Sequence, residues 1–163
     1  MRAYVGVGSN LGDRWGYLAL GARELRATPG IAVARASWVY ETDPVGPPGQ
    51  GRYLNAALEV ETAVPPLQLL GVLLRIERKA HRRRSVRWGP RTLDLDLLLY
   101  GDIELRTPEL IIPHPALTGR RFVLVPLADL CPDRVVPGTG ATVAELLART
   151  PPLGVTGRGL YPV

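Results

Sequence analysis

One short segment restricts the possible folds more than any other part of the chain. Residues 92–100, TLDLDLLLY, alternate leucine with aspartate, as a strand with two different faces does. Side chains two residues apart in a strand point the same way, so Asp94 and Asp96 share one face. The opposite face carries Leu93, Leu95 and Leu97. The two aspartate Cβ atoms are expected about 7 Å apart, close enough to hold one or two hard cations. Polar alternation on a half-exposed strand explains the same pattern, so both interpretations stay open here.

The charge of the chain is concentrated directly before this strand. Between Arg75 and Arg91 there are eight basic residues and one acid, Glu77, whereas the whole chain has a net charge of only +5. Such a cluster is typical of a nucleic-acid patch, a solvated helix end or a polyphosphate site. Arg91 lies three residues before Asp94. Carboxylates that hold Mg²⁺ beside arginines that hold phosphate are the parts of a phosphoryl-transfer site, so the combination favours a nucleotide enzyme.

Composition narrows the class of protein. The chain has 163 residues, 46% hydrophobic and 21% charged, which predicts one soluble globular domain over residues 1–163. No apolar run approaches the roughly 20 residues that cross a bilayer, and the first residues lack the pattern of a signal peptide. Cys131 is the single cysteine and can form no internal disulfide. We therefore expect a cytoplasmic protein.

The hydrophobic periodicity predicts alternating strands and helices. Strands are expected at 2–8, 31–41, 53–62 and 92–100, and helices at 13–28 and 65–79. This order, βαββαβ, is the ferredoxin-like plan of an antiparallel sheet with both helices on one face. After Tyr100 we expect an extension with short helices at 123–130 and 141–149 that covers the other side of the sheet.

Each predicted element has a predicted face. Helical spacing is expected to put Trp15, Leu18, Ala22 and Leu25 on one face of the first helix, and Leu67, Leu70, Leu74 and Glu77, at three- or four-residue steps, on one face of the second. One strand face is expected to carry Ile31, Val33, Arg35, Ser37 and Val39, and another Tyr53, Asn55, Ala57 and Glu59.

Common nucleotide-binding motifs are absent from the sequence. It contains no GxxxxGK[ST] motif, and residues 6–12, GVGSNLG, have their third glycine one position too late for GxGxxG. We expect these glycines to let the end of the first strand approach another backbone closely.

Four blocks, in order across residues 3–131, carry a family resemblance. VGVGSNLGD, YETDPVGP with YLNAALEVET, RWGPRTLDLDLLLYG and IIPHPALTGRRFVLVPL together resemble the 6-hydroxymethyl-7,8-dihydropterin pyrophosphokinases. WGPRTLDLD is the most specific of them. The resemblance implies an ATP-dependent enzyme of folate biosynthesis that transfers the βγ-pyrophosphoryl group of ATP to the hydroxymethyl group of the pterin and releases AMP.

The resemblance also implies roles for individual residues. The catalytic residues would be Arg82, Arg91, Asp94 and Asp96, with Asp94 and Asp96 binding two Mg²⁺ ions. ATP would be bound by Arg84, Arg91, Leu97, His114 and Arg120. The pterin would be bound by Thr42, Val45, Tyr53, Asn55, Trp88 and Phe122. The expected partners are these two substrates alone, with no nucleic acid or membrane, and the expected state is a monomer.

Some positions depart from the family pattern, and two rival functions remain. Asp43, His81, Glu109 and Ile111 stand where relatives commonly have other residues, which concerns the nucleotide contacts and the loops at 43–52 and 81–91. A ferredoxin-like RNA- or DNA-binding module would also carry a basic loop and strand aromatics. A non-catalytic interaction domain would keep the sheet and have no need of Asp94.

Overall fold

The fold is described from a computed structural model, which covers residues 1–44, 48–80, 92–152 and 154–162. The first part of the chain forms β1 (Arg2–Ser9), α1 (Arg14–Arg26), β2 (Ile31–Ala36), β3 (Val39–Thr42), β4 (Tyr53–Thr62), α2 (Pro66–Lys79) and β5 (Asp94–Tyr100). The rest forms β6 (Leu105–Arg106), β7 (Ile111–Ile112), α3 (Arg121–Leu130), β8 (Val135–Val136), β9 (Ala141–Thr142), α4 (Val143–Ala148) and β10 (Val155–Gly159).

The main sheet has six strands in the order β10-β3-β4-β1-β5, and β2 also pairs with β4. The pairings are antiparallel. Apart from the split second strand and the added β10, this is the predicted ferredoxin-like arrangement, and the prediction is confirmed. Within the described ranges, no helix has the length and apolar character needed to cross a membrane.

Helices α1 and α2 cover one face of the sheet. Asp13 caps α1 by accepting a hydrogen bond from the Gly16 amide, and Leu18, Ala22 and Leu25 of the predicted face are buried. Trp15, predicted on the same face, is 40% exposed.

The predicted face of α2 is also buried only in part. Leu67 is 49% exposed, whereas Leu69, Leu73 and Ile76 form the buried stripe. Apolar residues occur on several sides of this helix, so two stripes had helical spacing. Packing against the sheet selects one of them, and Glu77 is buried beside it.

The predicted strand 31–41 is broken into β2 and β3. At the break the Ser37 amide donates to the Ala57 carbonyl, and the Ser37 hydroxyl accepts from the Ala57 amide at 2.8 Å. A register shift between Val33 and Arg35 turns the side chains that follow it in β2 to the opposite face of the sheet. Ile31 therefore packs in the helix-side core, whereas Arg35 pairs with Glu59 on the other side. The prediction of one common face is corrected accordingly.

A register shift between β1 and β5, a second bulge in the sheet, determines which leucines of β5 pack on the helix side and which pack on the opposite face. The register between β1 and β5 shifts where Val5 pairs with Leu97 and Tyr4 pairs with Leu99. Leu97 thus stays with the helix-side core, whereas Leu98 and Leu99 both join the core on the opposite face. There α3 and α4 supply the covering layer through residues such as Leu124 and Leu146. The predicted role of the C-terminal extension is confirmed.

Candidate active site

The α3 and α4 layer covers only part of the second sheet face, and the remainder is a pocket of about 700 Å³. Its floor is formed by β1, β3, β4 and β5, and its rim by the connection from His114 to the start of α3. The predicted site residues that line it are Thr42, Tyr53, Asn55, Asp94, Asp96, His114, Arg120 and Phe122. The fold therefore brings both predicted substrate subsites into one cavity.

Asp94 and Asp96 stand on the pocket face of β5, as the alternation predicts. Their neighbours across the sheet on β1 are Gly8 and Gly6, which have no side chains to fill the space in front of the carboxylates. Leu95, between them, is 3% exposed on the helix side. Both aspartates are partly exposed to the pocket. The strand therefore presents two neighbouring carboxylates to any ligand in the cavity.

The pair fits Mg²⁺ better than a metal that is held by protein ligands alone. Among the described residues there is no group of three or more His, Cys, Asp or Glu side chains that could hold a metal ion. Mg²⁺ is commonly bound through one or two carboxylates, with substrate phosphates and waters completing the coordination. Asp94 and Asp96 supply these carboxylates, so the donor set fits the predicted ion.

His114 is oriented by its own turn. Its Nδ1 accepts a hydrogen bond from the Ala116 amide at 3.1 Å, so the proton of the neutral ring is on Nε2. Nε2 lies 3.8 Å from Asp96 Oδ1. Burial lowers the pKa of His114, the charge of Asp94 partly opposes this, and Arg120 lowers it further. The ring is thus a neutral donor whose N–H lies on the carboxylate side of the pocket.

The other end of the pocket is built on β3 and β4. Asn55 Nδ2 donates to Thr42 Oγ1 at 2.5 Å, and Thr42 is only 1% exposed. Tyr53 and Asn55 lie on the same strand face, as the sequence predicts. This bond fixes the orientation of the Asn55 amide and leaves its second N–H and its oxygen for other partners.

Gly8 leaves room for the Asn55 side chain. A Cβ atom at Gly8 would lie 2.9 Å from Asn55 Oδ1 and 3.6 Å from the Tyr53 ring, whereas one at Gly6 would meet Leu98 at an ordinary 3.4 Å. The sequence predicts close approach to another backbone. The nearest neighbour is instead a side-chain oxygen of the pocket, and the nearest backbone atom is 3.7 Å away.

The N-terminus of α3 connects the two ends of the pocket. The Arg120 guanidinium lies 5.9 Å from the centroid of the Phe122 ring, and both residues line the cavity. A residue predicted to bind ATP and a residue predicted to bind the pterin are therefore neighbours. This places the two substrates side by side if each binds at its predicted residues.

Some predicted residues are not among those that form the pocket. Val45, Arg82, Arg84, Trp88 and Arg91 lie outside the described residues, and their roles stay predictions. The Leu97 side chain is 2% exposed in the helix-side core and does not line the pocket, and the predicted ATP-binding role of Leu97 stays a prediction. The bulge turns the next residue, Leu98, toward the pocket instead. Alternation alone gives no sign of this.

Sequence reasoning missed two features of the site. Asp43 lines the pocket beside Thr42, although the sequence marks it only as a departure from the family pattern. Glu77 of α2, which is 2% exposed, accepts a hydrogen bond from the Leu95 amide at 2.8 Å. It therefore supports the outer edge of β5 between the two aspartates. The sequence gives one indication of this role, because Glu77 is an acidic residue among the apolar positions of a helix.

Comparisons with known proteins show the family of the chain. Residues 4–132 match the family model described as 7,8-dihydro-6-hydroxymethylpterin-pyrophosphokinase. A 2-amino-4-hydroxy-6-hydroxymethyldihydropteridine pyrophosphokinase of Bacillus subtilis strain 168 is 46% identical over 79% of this chain and 77% of its own length. The protein of the same name from Methylorubrum extorquens is 45% identical over 94% of this chain and 96% of its own.

A solved structure adds a likeness of fold. The wild-type HPPK-DHPS of Plasmodium falciparum superposes with a TM-score of 0.69 over 91% of this chain and 40% of that one, at 16% identity. Identity this low supports the fold alone, whereas the family match and the curated relatives carry the assignment. The chain belongs to the 7,8-dihydro-6-hydroxymethylpterin pyrophosphokinase family.

Proposed function

We propose that the pocket binds ATP at its carboxylate end and the pterin at its β3–β4 end, so that pyrophosphoryl transfer occurs between them. As a member of its family, the chain transfers a pyrophosphoryl group from ATP to 6-hydroxymethyl-7,8-dihydropterin in folate biosynthesis. The observation that carries the proposed arrangement is that one cavity of about 700 Å³ is lined by four residues of each predicted subsite, namely Asp94, Asp96, His114 and Arg120 for ATP and its metal ions, and Thr42, Tyr53, Asn55 and Phe122 for the pterin. A volume of this order accommodates small-molecule ligands, which occupy clefts of about 300–1,000 Å³.

The proposed metal site is the pair Asp94 and Asp96, which would hold two Mg²⁺ ions together with the phosphates. When bound, the ions neutralise the phosphate charge and polarise the phosphorus that is attacked. The neutral Nε2–H of His114, on the same side of the pocket, donates a hydrogen bond to a phosphate oxygen. Arg120 adds a permanent positive charge at the rim. Arg82, Arg84 and Arg91 are proposed as further phosphate ligands on the strength of the family resemblance.

The proposed pterin site pairs stacking with hydrogen bonding. Tyr53 and Phe122 offer two aromatic rings for a flat heterocycle, which gains from offset stacking. Asn55, with its amide fixed by Thr42, uses its free N–H and its oxygen to pair with the donor and acceptor of the pterin lactam. Val45 and Trp88 are proposed to complete the enclosure.

The proposed chemistry is mostly positioning and charge stabilisation. The hydroxymethyl oxygen attacks the β-phosphorus of ATP, the bond from that phosphorus to the α-phosphate oxygen breaks, and AMP leaves. The hydroxyl proton passes to solvent. No described side chain has to act as a general base, since holding the two reactants in line removes much of the barrier.

A direct assay tests the proposal. The chain is incubated with ATP, 6-hydroxymethyl-7,8-dihydropterin and Mg²⁺, and AMP and the pterin diphosphate are quantified by chromatography. We expect the two products in equal amounts, with no AMP when either pterin or Mg²⁺ is left out. Binding of Mn²⁺ in the presence of a non-hydrolysable ATP analogue, followed by electron paramagnetic resonance, gives the number of ions. AMP formation without pterin would contradict the proposed transfer, and a single bound ion would contradict the two-ion site.

A further inference from the structure

The C-terminal strand β10 lies beyond the residues that match the family model, which end at 132. It forms the edge of the sheet and pairs with β3, with Val155 opposite Thr42. The pairing continues past the end of β3, because the Asp43 amide donates to the Gly154 carbonyl at 2.8 Å. β10 therefore contacts the backbone of Thr42, a residue of the proposed pterin site.

The same strand also contacts the far end of the connection between β3 and β4. The Arg52 guanidinium donates a hydrogen bond to Thr156 Oγ1 and lies 3.4 Å from Asp43 Oδ1. Residues 43 and 52 thus meet across the base of the connection, directly beside β10. Thr42 precedes this base and Tyr53 follows it. Both chain segments that carry proposed pterin contacts are therefore joined at one place.

The end of β10 is fixed to the helix layer. Tyr161 donates its hydroxyl proton to the Leu18 carbonyl of α1 at 2.6 Å. Gly159 lies against the Trp15 ring, since a Cβ there would be 3.0 Å from the ring. These contacts give β10 an attachment that is independent of the pterin residues, so it can hold β3 in place.

We propose that β10 is a positioning element of the pterin site, which keeps Thr42 and Asn55 in the geometry that reads the pterin. Without β10, β3 would be an edge strand, and its Thr42 end would be paired only with β4. The bond from Asn55 to Thr42 fixes the Asn55 amide, so displacement of Thr42 misaligns that amide. The exposed Arg52–Asp43 ion pair contributes little by itself, since its side chains are 42% and 63% exposed. The strand pairing is the main restraint. This inference rests on the proposed function.

The test uses the full chain with two substitutions in the C-terminal segment, Gly157→Val and Tyr161→Phe. Gly157 has a φ of +61° with no atom within 4 Å of a Cβ, so valine there strains the strand without touching the pocket. Phenylalanine removes only the hydroxyl that anchors the end. Hydrogen exchange verifies the detachment of β10 by faster exchange of the amides at 155–159.

Binding is measured separately for the two substrates by calorimetry. We expect the dissociation constant of the pterin, in the presence of a non-hydrolysable ATP analogue, to rise about tenfold. Only part of the variant protein would then have Thr42 and Asn55 in the geometry that binds the pterin. The dissociation constant of the analogue itself should change by less than about twofold. The same split should appear in kinetics as a higher KM for pterin with little change in kcat.

A second set of variants isolates Arg52. Arg52→Ala should weaken pterin binding by about twofold to threefold, and Arg52→Lys should restore most of it, because lysine keeps the positive charge and a hydrogen-bond donor at this position. Arg158→Ala is the matched control on the same strand. Its guanidinium stacks over Trp38 at 4.8 Å and interacts with the Tyr40 hydroxyl, and neither contact involves Arg52, Asp43 or Thr156, so pterin binding should be unchanged.

The outcomes separate this inference from the proposed function. Unchanged pterin affinity in the double variant, with the β10 amides exchanging freely, overturns the positioning role. Equal weakening of pterin and ATP analogue also overturns it, since general destabilisation then explains the loss. A wild-type chain that binds the analogue but no pterin defeats the proposed function itself.

Discussion

Two side-chain clusters, one built around a single acid and the other around two, lie on the same face of the same sheet and have opposite surroundings. Glu59 on β4 is 3% exposed beneath the end of α3, where Tyr4 donates to it at 2.9 Å and Arg35 at 2.6 Å. Asp94 and Asp96 on β5 face the open part of the pocket, and the Asp96 side chain is 43% exposed. The same helix, α3, buries one cluster with its C-terminal end and rims the other with its N-terminal end.

The difference separates an acid that is satisfied by the protein itself from two acids that are proposed to serve a ligand. Burial alone would raise the pKa of Glu59, but the hydrogen bonds from Arg35 and Tyr4 and the charges of Arg35 and Arg2 outweigh it, so its pKa is lowered. Glu59 is thus charged and satisfied by the protein itself. Asp94 and Asp96 lie where a cation and its phosphates can reach them.

The largest expected effect comes from removing a pocket carboxylate. Asp96→Ala should lower kcat/KM by about 10²–10⁴-fold, since loss of a metal ligand removes several kcal/mol of charge stabilisation. AMP formation at saturating Mg²⁺ measures this. The free energy of unfolding should hardly change, in contrast to the effect expected at Glu59.

Asp102→Asn is the control for this loss. Its carboxylate is 88% exposed just past the end of β5 and lies outside the pocket. Activity should stay within about twofold of wild type, as for most surface substitutions. Full activity in Asp96→Ala would contradict the proposed metal site.

The next largest expected effect is a loss of stability at the covered cluster of Glu59, Tyr4 and Arg35. Glu59→Ala should lower the free energy of unfolding by about 2 kcal/mol, because Tyr4 and Arg35 lose a charged acceptor. The expected loss of stability is smaller than for a fully buried ion pair because the Arg35 side chain is 51% exposed. Urea unfolding measures it.

Glu61→Ala, on the same strand, is the matched control. Its pair with Arg2 is exposed on both sides, at 45% and 52%, and should contribute little to stability. Neither variant should alter kcat. An equal loss of stability in the two variants would mean that burial of Glu59 has no special weight.

A smaller effect on binding separates two glycines of β1. Gly8→Ala should raise the pterin dissociation constant by about tenfold, which corresponds to 1.4 kcal/mol, because the new methyl group displaces the Asn55 amide. Gly6→Ala makes only ordinary contacts with Leu98 and should bind pterin normally. Calorimetric titration of both variants compares them. Equal pterin affinities of the two variants would contradict the proposed role of Asn55 in pterin binding.

The smallest expected effect is a pH dependence of the covered cluster. The folded pKa of Glu59 is lowered from 4.5, so its contribution to stability is present above pH 4.5 and is lost as the pH falls through the lower folded value. The gap in unfolding free energy between wild type and Glu59→Gln should therefore narrow below about pH 4.5. Urea titrations across the acid range measure the gap. A constant gap would contradict the pKa shift.

Several features could be predicted from the residues because they follow from local geometry. The period of two in TLDLDLLLY puts Asp94 and Asp96 on one face whatever surrounds the strand. The same rule places Tyr53 and Asn55 together on β4, and both lie in the pocket. The order of strands and helices then predicts the ferredoxin-like sheet.

Other features could not be predicted, because they depend on contacts between distant segments. The stripe of α2 that is buried was chosen by packing among several apolar positions. β10 has a short sequence with two glycines, and only its partner β3 makes it a strand.

The sequence by itself determined the family, the order of the main strands and helices and the types of residue that line the pocket, because these reside in residue type and short-range spacing. The tertiary structure alone decided that Leu98 rather than Leu97 faces the pocket, that Gly8 makes room for Asn55, and that one acid is covered while two remain open. The physical reason is that a bulge, a steric fit and the reach of a covering helix are set by residues far apart in the chain.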